Sequence, residues 1–163
     1  MPVLKDILYK VNLRSVVGNT GIEIGDIQID SRKAKKGSAF VAVKGAVTDG
    51  HQFIENAIEA GALAVVCENM PATIKEEVTY VQVENSGAAA GYIAHHFFDR
   101  PSEKLKLVGI TGTNGKTTIA TLLYKLFAVL GFKCGLISTV ENQIGDLIVP
   151  ATHTTPDAVS LNA

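Results

Sequence analysis

The chain has 163 residues, with 15 Lys and Arg against 16 Asp and Glu, and a formal net charge of −1. A charge sum this close to zero excludes the broad basic footprint that binds nucleic acid. A hydrophobic share of 47% with 19% charged residues likewise excludes a disordered chain, which needs low hydrophobicity and high net charge.

In chain order, Met1-Pro2-Val3-Leu4-Lys5-Asp6 shows no basic stretch followed by an apolar core and a small-residue cleavage site, so the expected location is the cytoplasm. Residues 27–30 (Ile-Gln-Ile-Asp) alternate at period two, and 39–43 (Ala-Phe-Val-Ala-Val) form a near-continuous apolar strand; the two are expected to be neighbours. Phe53, Ile54, Ala57 and Ile58 share one face of a short helix that Gly61 ends. Residues 62–67 return as a strand, far short of the roughly 20 apolar residues of a membrane span, so no membrane partner is expected. Another strand covers 80–83 and a small-residue helix covers 85–98. Asp99-Arg100-Pro101-Ser102 then marks the expected domain boundary. His95 and His96 are adjacent on that helix, point in different directions and cannot chelate one metal, so they read as structural. Cys67 and Cys134 lie in apolar runs without Cys-x-x-Cys spacing and read as buried free thiols.

Beyond the boundary the pattern restarts. A buried strand is expected over 105–110, then a glycine-rich turn, then a helix carrying Ile119, Leu122, Leu123, Leu126, Phe127 and Leu130 on one stripe that reads as core. Gly131 caps the helix and 133–138 make the next strand, a βαβ unit whose two strands are expected to be parallel. Thr155-Pro156-Asp157 predicts a further helix start, with threonine as N-cap, proline at the first helical position and an acid in the first turn. The fold class is therefore α/β: a small N-terminal α/β domain over 1–101, followed over 102–163 by the beginning of a P-loop parallel-sheet domain. A parallel sheet with one crossover leaves a face uncovered, so the chain reads as a fragment of a longer enzyme.

The strongest chemical signal is Thr111-Gly112-Thr113-Asn114-Gly115-Lys116-Thr117-Thr118, between the expected strand and the amphipathic helix. Gly112 and Gly115 let the backbone turn its N–H groups onto an anion, the helix N-terminus adds a partial positive charge, and Lys116 adds a full one. Thr117 places a hydroxyl where Mg²⁺ can bridge phosphates. The generic P-loop has a glycine five positions before Gly115; here that position is Ile110, flanked by Gly109 and Gly112, so the loop is a variant.

Asp30-Ser31-Arg32, at a strand end, reads as a side-chain-capped turn, with two readings open for Arg32: an ion-pair partner of Asp30 or Asp49, or a ligand contact. Thr154 and Thr155 read as a helix cap, compatible with a site that presents N–H groups and hydroxyls to an anionic substrate. His51 belongs to an Asp-Gly-His turn and carries no assigned role.

Thr-Gly-Thr-Asn-Gly-Lys-Thr-Thr resembles the ATP loop of the Mur ligases, cytoplasmic enzymes that build the peptidoglycan stem peptide. Asp30-Ser31-Arg32, the segment from Gly37-Ser38-Ala39 to Val43-Lys44-Gly45, and Asp49-Gly50-His51 resemble the N-terminal UDP-sugar domain of the members that add the third residue or the terminal dipeptide. Gly135-Leu136-Ile137-Ser138-Thr139-Val140 and Ala151-Thr152-His153-Thr154-Thr155-Pro156-Asp157 resemble the third-residue ligases.

The resemblance implies a UDP-MurNAc-binding domain over 1–101 and the truncated beginning of the central ATP-binding domain over 102–163. It implies ATP and Mg²⁺ as cofactors: ATP on Gly112, Thr113, Asn114, Gly115, Lys116, Thr117 and Thr118, with Lys116 catalytic and Thr117 at the metal. Ser31 would meet the uracil-ribose end of the UDP-linked substrate, Ala46, Val47 and Thr48 would lie along the nucleotide, and Thr154 and Thr155 would meet the muramoyl-peptide portion. His153 would touch substrate or support the loop.

The implied reaction is ATP-dependent amide formation, in which the D-glutamyl carboxylate of UDP-MurNAc-L-Ala-D-Glu becomes an acyl phosphate. A diamino acid, meso-diaminopimelate or L-lysine, then displaces phosphate. The 163 residues alone are expected to be monomeric, to bind weakly at best and not to turn over. Terminal-dipeptide ligases and folylpolyglutamate synthases share the ATP loop; the Thr-Thr-Pro-Asp segment disfavours the first and the UDP-type N-domain disfavours the second. A nucleotide-binding module without chemistry is the alternative from another class.

Overall fold

The computed structural model describes residues 1–45, 48–145, 147–150 and 156–163. They divide into two units, Met1–Leu105 with Ala158–Ala163, and Lys106–Asp157. The first unit contains α1 (Leu4–Ile7), β1 (Leu13–Val17), β2 (Asp26–Gln28), β3 (Ser38–Val41), α2 (Ile54–Glu59), β4 (Ala64–Cys67), β5 (Thr79–Val83) and α3 (Ser86–Phe97). Its sheet runs β1-β5-β4-β3-β2, with β2 to β5 mutually parallel and β1 antiparallel at the β5 edge.

The period-two geometry of strands explains why the central ones are apolar at every position. Ala39, Val41, Ala64, Val66, Val81 and Val83 face one layer with Leu4 and Ile7 of α1 and Ile93 and Ala94 of α3. Phe40, Val65, Cys67 and Tyr80 face the other with Ile54 and Ala57 of α2. Both faces of β3 and β4 are thus covered, as parallel sheets require.

The strands and helices expected from 27–30, 39–43, 62–67, 80–83 and 85–98 all form, with shorter bounds for the strands. Asn85 caps α3, its side chain accepting from the Ala88 N–H at 2.8 Å. Asp99 and Arg100 both adopt left-handed backbone, and the Arg100 N–H closes the helix onto the His95 carbonyl at 2.7 Å, just ahead of Pro101. α1 and β1 were not anticipated: β1 is exposed at every position, and four residues are too few to show a helical period.

The second unit holds α4 (Lys116–Val129), β6 (Gly135–Ile137), β7 (Glu141–Ile144) and β8 (Leu147–Pro150), and α5 (Ala158–Asn162) returns to the first. Three expectations are corrected. Residues 106–110 form no strand, and Leu107 is 73% exposed. The parallel βαβ pairing is absent, β6 pairing antiparallel with β7 and β7 with β8. The α4 stripe is not core, since α4 has no buried residue and Leu122 is 62% exposed. All three have one cause. A parallel strand buried on both faces needs ladder partners on its flanks, and among the described residues none pairs with 106–110, so no sheet covers α4.

α5 starts at Ala158, with Pro156 and Asp157 outside the helix, so the helix begins later than expected from Thr155. Cys67 is buried as expected, but Cys134 is only half-buried. The His95 and His96 rings stand edge to face at 5.2 Å, and no metal-binding cluster occurs among the described residues. Among the same residues no helix is long and apolar enough to cross a membrane.

Candidate functional site

In the second unit the site is a turn into a helix. Gly112 and Gly115 take φ of +145° and +79°, conformations that side-chain-bearing residues rarely adopt, and α4 begins at the next residue, Lys116. Gly115 at the N-cap makes no side-chain cap bond, and the N–H groups of the first turn have no acceptor within the helix. The Lys116 ammonium donates to the carbonyls of Gly112 at 2.6 Å and Thr113 at 3.1 Å, which folds the positive charge back over the turn. Thr117 is half-buried, with its hydroxyl 3.5 Å from that of Thr139, while Thr113, Asn114 and Thr118 are exposed. Eight consecutive residues thus bring a cation, free N–H donors and hydroxyls to one helix start. That set is suited to a polyphosphate.

In the first unit, parallel pairing puts the carboxyl ends of β2, β3, β4 and β5 along one sheet edge, where open α/β sheets place ligands. Asp30-Ser31-Arg32 follows β2. The Asp30 carboxylate accepts from the Arg32 N–H at 3.1 Å and from its guanidinium at 2.9 and 2.8 Å. This decides between the two readings of Arg32: its ion pair is with Asp30, and that pairing holds the Asp30 carboxyl below its ordinary range. Ser31, half-buried, opens the short 3-10 turn Ser31–Lys33.

After β3, Lys44 and Asp49 form an isolated antiparallel bridge, and the Gly45 N–H donates to the Thr48 carbonyl at 3.0 Å, leaving Thr48 exposed. Ser31 and Thr48 therefore share one sheet edge. Ala46 and Val47 lie outside the described residues, as do His153, Thr154 and Thr155.

Sequence reasoning passed over the residues that anchor this edge. Glu68, just past β4, accepts from the Ser86 N–H and the Ser86 hydroxyl, both at 2.8 Å on Oε1, and this holds its carboxyl below the usual range. Its own N–H donates to His51 Nε2 at 2.8 Å, so the proton of that imidazole sits on Nδ1 and is donated to Asp49 Oδ1 at 2.6 Å. Asp49 is held low in turn, first by the His51 backbone N–H and then by the ring. A carboxylate immediately after a fully buried strand was the signal that could have drawn attention to Glu68.

Two family models match the chain: Mur ligase family, catalytic domain, over residues 23–98, and Mur ligase middle domain over residues 110–163. The chain is 58% identical over 160 residues to UDP-N-acetylmuramoyl-L-alanyl-D-glutamate–2,6-diaminopimelate ligase of Cytophaga hutchinsonii, covering 98% of this chain and 33% of that protein. It is 52% identical over 159 residues to the protein of the same name from Bacteroides fragilis, with the same coverage. It spans about a third of the length of these relatives. Among solved structures, one of a UDP-N-acetylmuramoyl-L-alanyl-D-glutamate–2,6-diaminopimelate ligase superposes on 99% of the chain and 32% of its own, with a TM-score of 0.71 at 24% identity, a likeness of fold. With both units matched and relatives more than half identical along nearly its whole length, the chain belongs to the Mur ligase family.

Proposed function

We propose that these residues belong to an ATP-dependent amide ligase of peptidoglycan precursor synthesis, one that joins 2,6-diaminopimelate to UDP-MurNAc-L-Ala-D-Glu. Residues 1–101 form its UDP-MurNAc-binding domain and 102–163 the beginning of its ATP-binding domain. The observation that carries this reading is the 58% identity, over 160 residues, to a relative named for that reaction. The turn geometry at Gly112 to Lys116 agrees with it. The diamino acid comes from the relatives' names, and L-lysine is the alternative acceptor.

The chemistry must bring two anions together. The substrate's D-glutamyl carboxylate attacks the γ-phosphorus of ATP and ADP leaves; the amine of the diamino acid then attacks the acyl carbon and phosphate leaves. On this chain, Lys116 and the first-turn N–H groups of α4 would hold the phosphates, with Gly112, Thr113, Asn114, Gly115 and Thr118 shaping the cradle. The donor set also fits Mg²⁺, since a half-buried hydroxyl at Thr117, beside the phosphate cradle, is the oxygen ligand that ion takes in P-loops. Bound there, Mg²⁺ would neutralise phosphate charge. Ser31, Ala46, Val47 and Thr48 would contact the UDP end of the sugar nucleotide, and Thr154 and Thr155 its peptide end.

The test is phosphate release by the longer protein in which these residues stand, given ATP, Mg²⁺, UDP-MurNAc-L-Ala-D-Glu and 2,6-diaminopimelate. Release that requires all of the organic substrates is expected, whereas release without the UDP-linked substrate overturns the reading. The 163 residues alone should bind without turnover.

A further inference from the structure

We propose that Glu68 is the positioning residue for the loop from Lys44 to His51, holding both ends of that loop in the conformation that meets the UDP-linked sugar. The proposal rests on the reading of Ala46, Val47 and Thr48 as nucleotide contacts.

The loop has its own hairpin bonds, Gly45 N–H to the Thr48 carbonyl at 3.0 Å and Gly50 N–H to the Val43 carbonyl at 2.9 Å. These shape it but do not tie it to the neighbouring strands. The ties come at its two ends. The Lys44 N–H donates to Ser86 Oγ at 3.3 Å, and the His51 ring accepts the Glu68 N–H at 2.8 Å. Both ties converge on Glu68. The Ser86 hydroxyl gives its proton to the Glu68 carboxylate, which leaves its lone pairs facing the Lys44 N–H, and Ser86 is fully buried, so no water replaces either partner.

Glu68 is itself fixed from the sheet. Its carbonyl accepts from Gln82 Nε2 at 3.0 Å, and Gln82 Oε1 accepts from the Ser15 hydroxyl at 2.9 Å. Backbone N–H, backbone carbonyl and carboxylate of one residue are therefore all engaged, joining β1, β4, β5 and the start of α3 to one loop. Such an arrangement reduces the freedom a binding loop loses when a ligand arrives.

The test compares wild type with Glu68→Ala, Glu68→Gln, His51→Ala and His51→Gln, reading amide hydrogen exchange alongside titration with UDP-MurNAc-L-Ala-D-Glu. Glutamine at 68 keeps an oxygen acceptor for Ser86. Glutamine at 51 keeps an acceptor for the Glu68 N–H and a donor for Asp49. In both alanine variants, exchange at Gly45 and Gly50 should accelerate tenfold or more while β4 amides stay protected, and affinity for the sugar nucleotide should fall about tenfold; the glutamine variants should restore both.

Unchanged loop exchange in the alanine variants overturns the clamp. A loosened loop with unchanged affinity overturns the positioning role and leaves Glu68 structural. A wild type with a protected loop and no affinity for the sugar nucleotide overturns the nucleotide-contact reading, and the positioning role with it. Should Glu68→Ala lose β4 protection, His51→Ala carries the test, since it leaves the Glu68 bonds to Ser86 in place.

Discussion

The Lys116 ammonium reaches back 2.6 Å onto the carbonyl of Gly112, so the first residue of α4 closes the turn that leads into it. Its charge is fixed over the loop by the loop's own backbone, and the surrounding residues 111–116 are exposed. Lys116→Met keeps the aliphatic stem and removes the charge. Loss of a charge-assisted phosphate contact is worth about 1.5–3 kcal/mol, so ATP affinity should fall at least tenfold with little change in melting temperature. Calorimetric titration and a thermal melt read the two effects; equal affinity would contradict a phosphate role for the lysine.

Two glycines at positive φ should respond differently to alanine. At Gly115, φ +79°, a Cβ would meet nothing within 4 Å, and the cost is conformational, about 1 kcal/mol. At Gly61, φ +100°, a Cβ would lie 2.8 Å from Lys36 Cα, a backbone atom that cannot swing away. Gly61→Ala should therefore cost upwards of about 2 kcal/mol, and urea unfolding should rank the two in that order.

Asn85 stands at the N-cap of α3, whose Ile93 and Ala94 are part of the core. Removing its side-chain acceptor leaves the Ala88 N–H without that partner. Asn85→Ala should destabilise the first unit by about 1 kcal/mol, while Asn85→Asp, which keeps an oxygen acceptor, should be close to neutral. Chemical denaturation followed by circular dichroism tests this.

Burial pushes the Cys67 thiol up to about 11, and it is enclosed by the apolar layer containing Phe40 and Tyr80. Cys134 is half-buried. A thiol-alkylating reagent at neutral pH should modify Cys134 and spare Cys67 until the chain unfolds. Peptide mass spectrometry assigns the order, and early labelling of Cys67 would contradict the packing of β4.

Acid should weaken the first unit in a defined direction. Glu68, held low chiefly by the Ser86 N–H, and Asp30, held low chiefly by Arg32, release their protons more readily folded than unfolded. The stability they contribute is complete above the ordinary carboxylate range and is lost as pH falls through it toward their lowered values. Urea midpoints should decline between about pH 5 and pH 3, and Glu68→Gln should make that decline shallower. An equally steep decline in the variant would remove Glu68 from the account.

What the sequence by itself determined was whatever depends on neighbours along the chain. The apolar runs that became β3, β4 and β5, and the Asn85-capped α3, were readable because period, cap and turn are local. The phosphate turn was readable for the same reason, its parts coming from eight consecutive residues. The tertiary structure decided the rest. Residues 106–110 are as apolar as a buried strand and form none, because a strand exists only through ladder partners that its own sequence does not contain. β6 paired antiparallel with β7 by the same rule. The anchor of the sugar-nucleotide loop was hidden too: His51, Glu68 and Ser86 stand 17 and 18 residues apart and meet only where parallel strands align their carboxyl ends. Hydrogen bonds act over about 3 Å of space, whatever the distance along the chain, so that constellation became visible only once the sheet was formed.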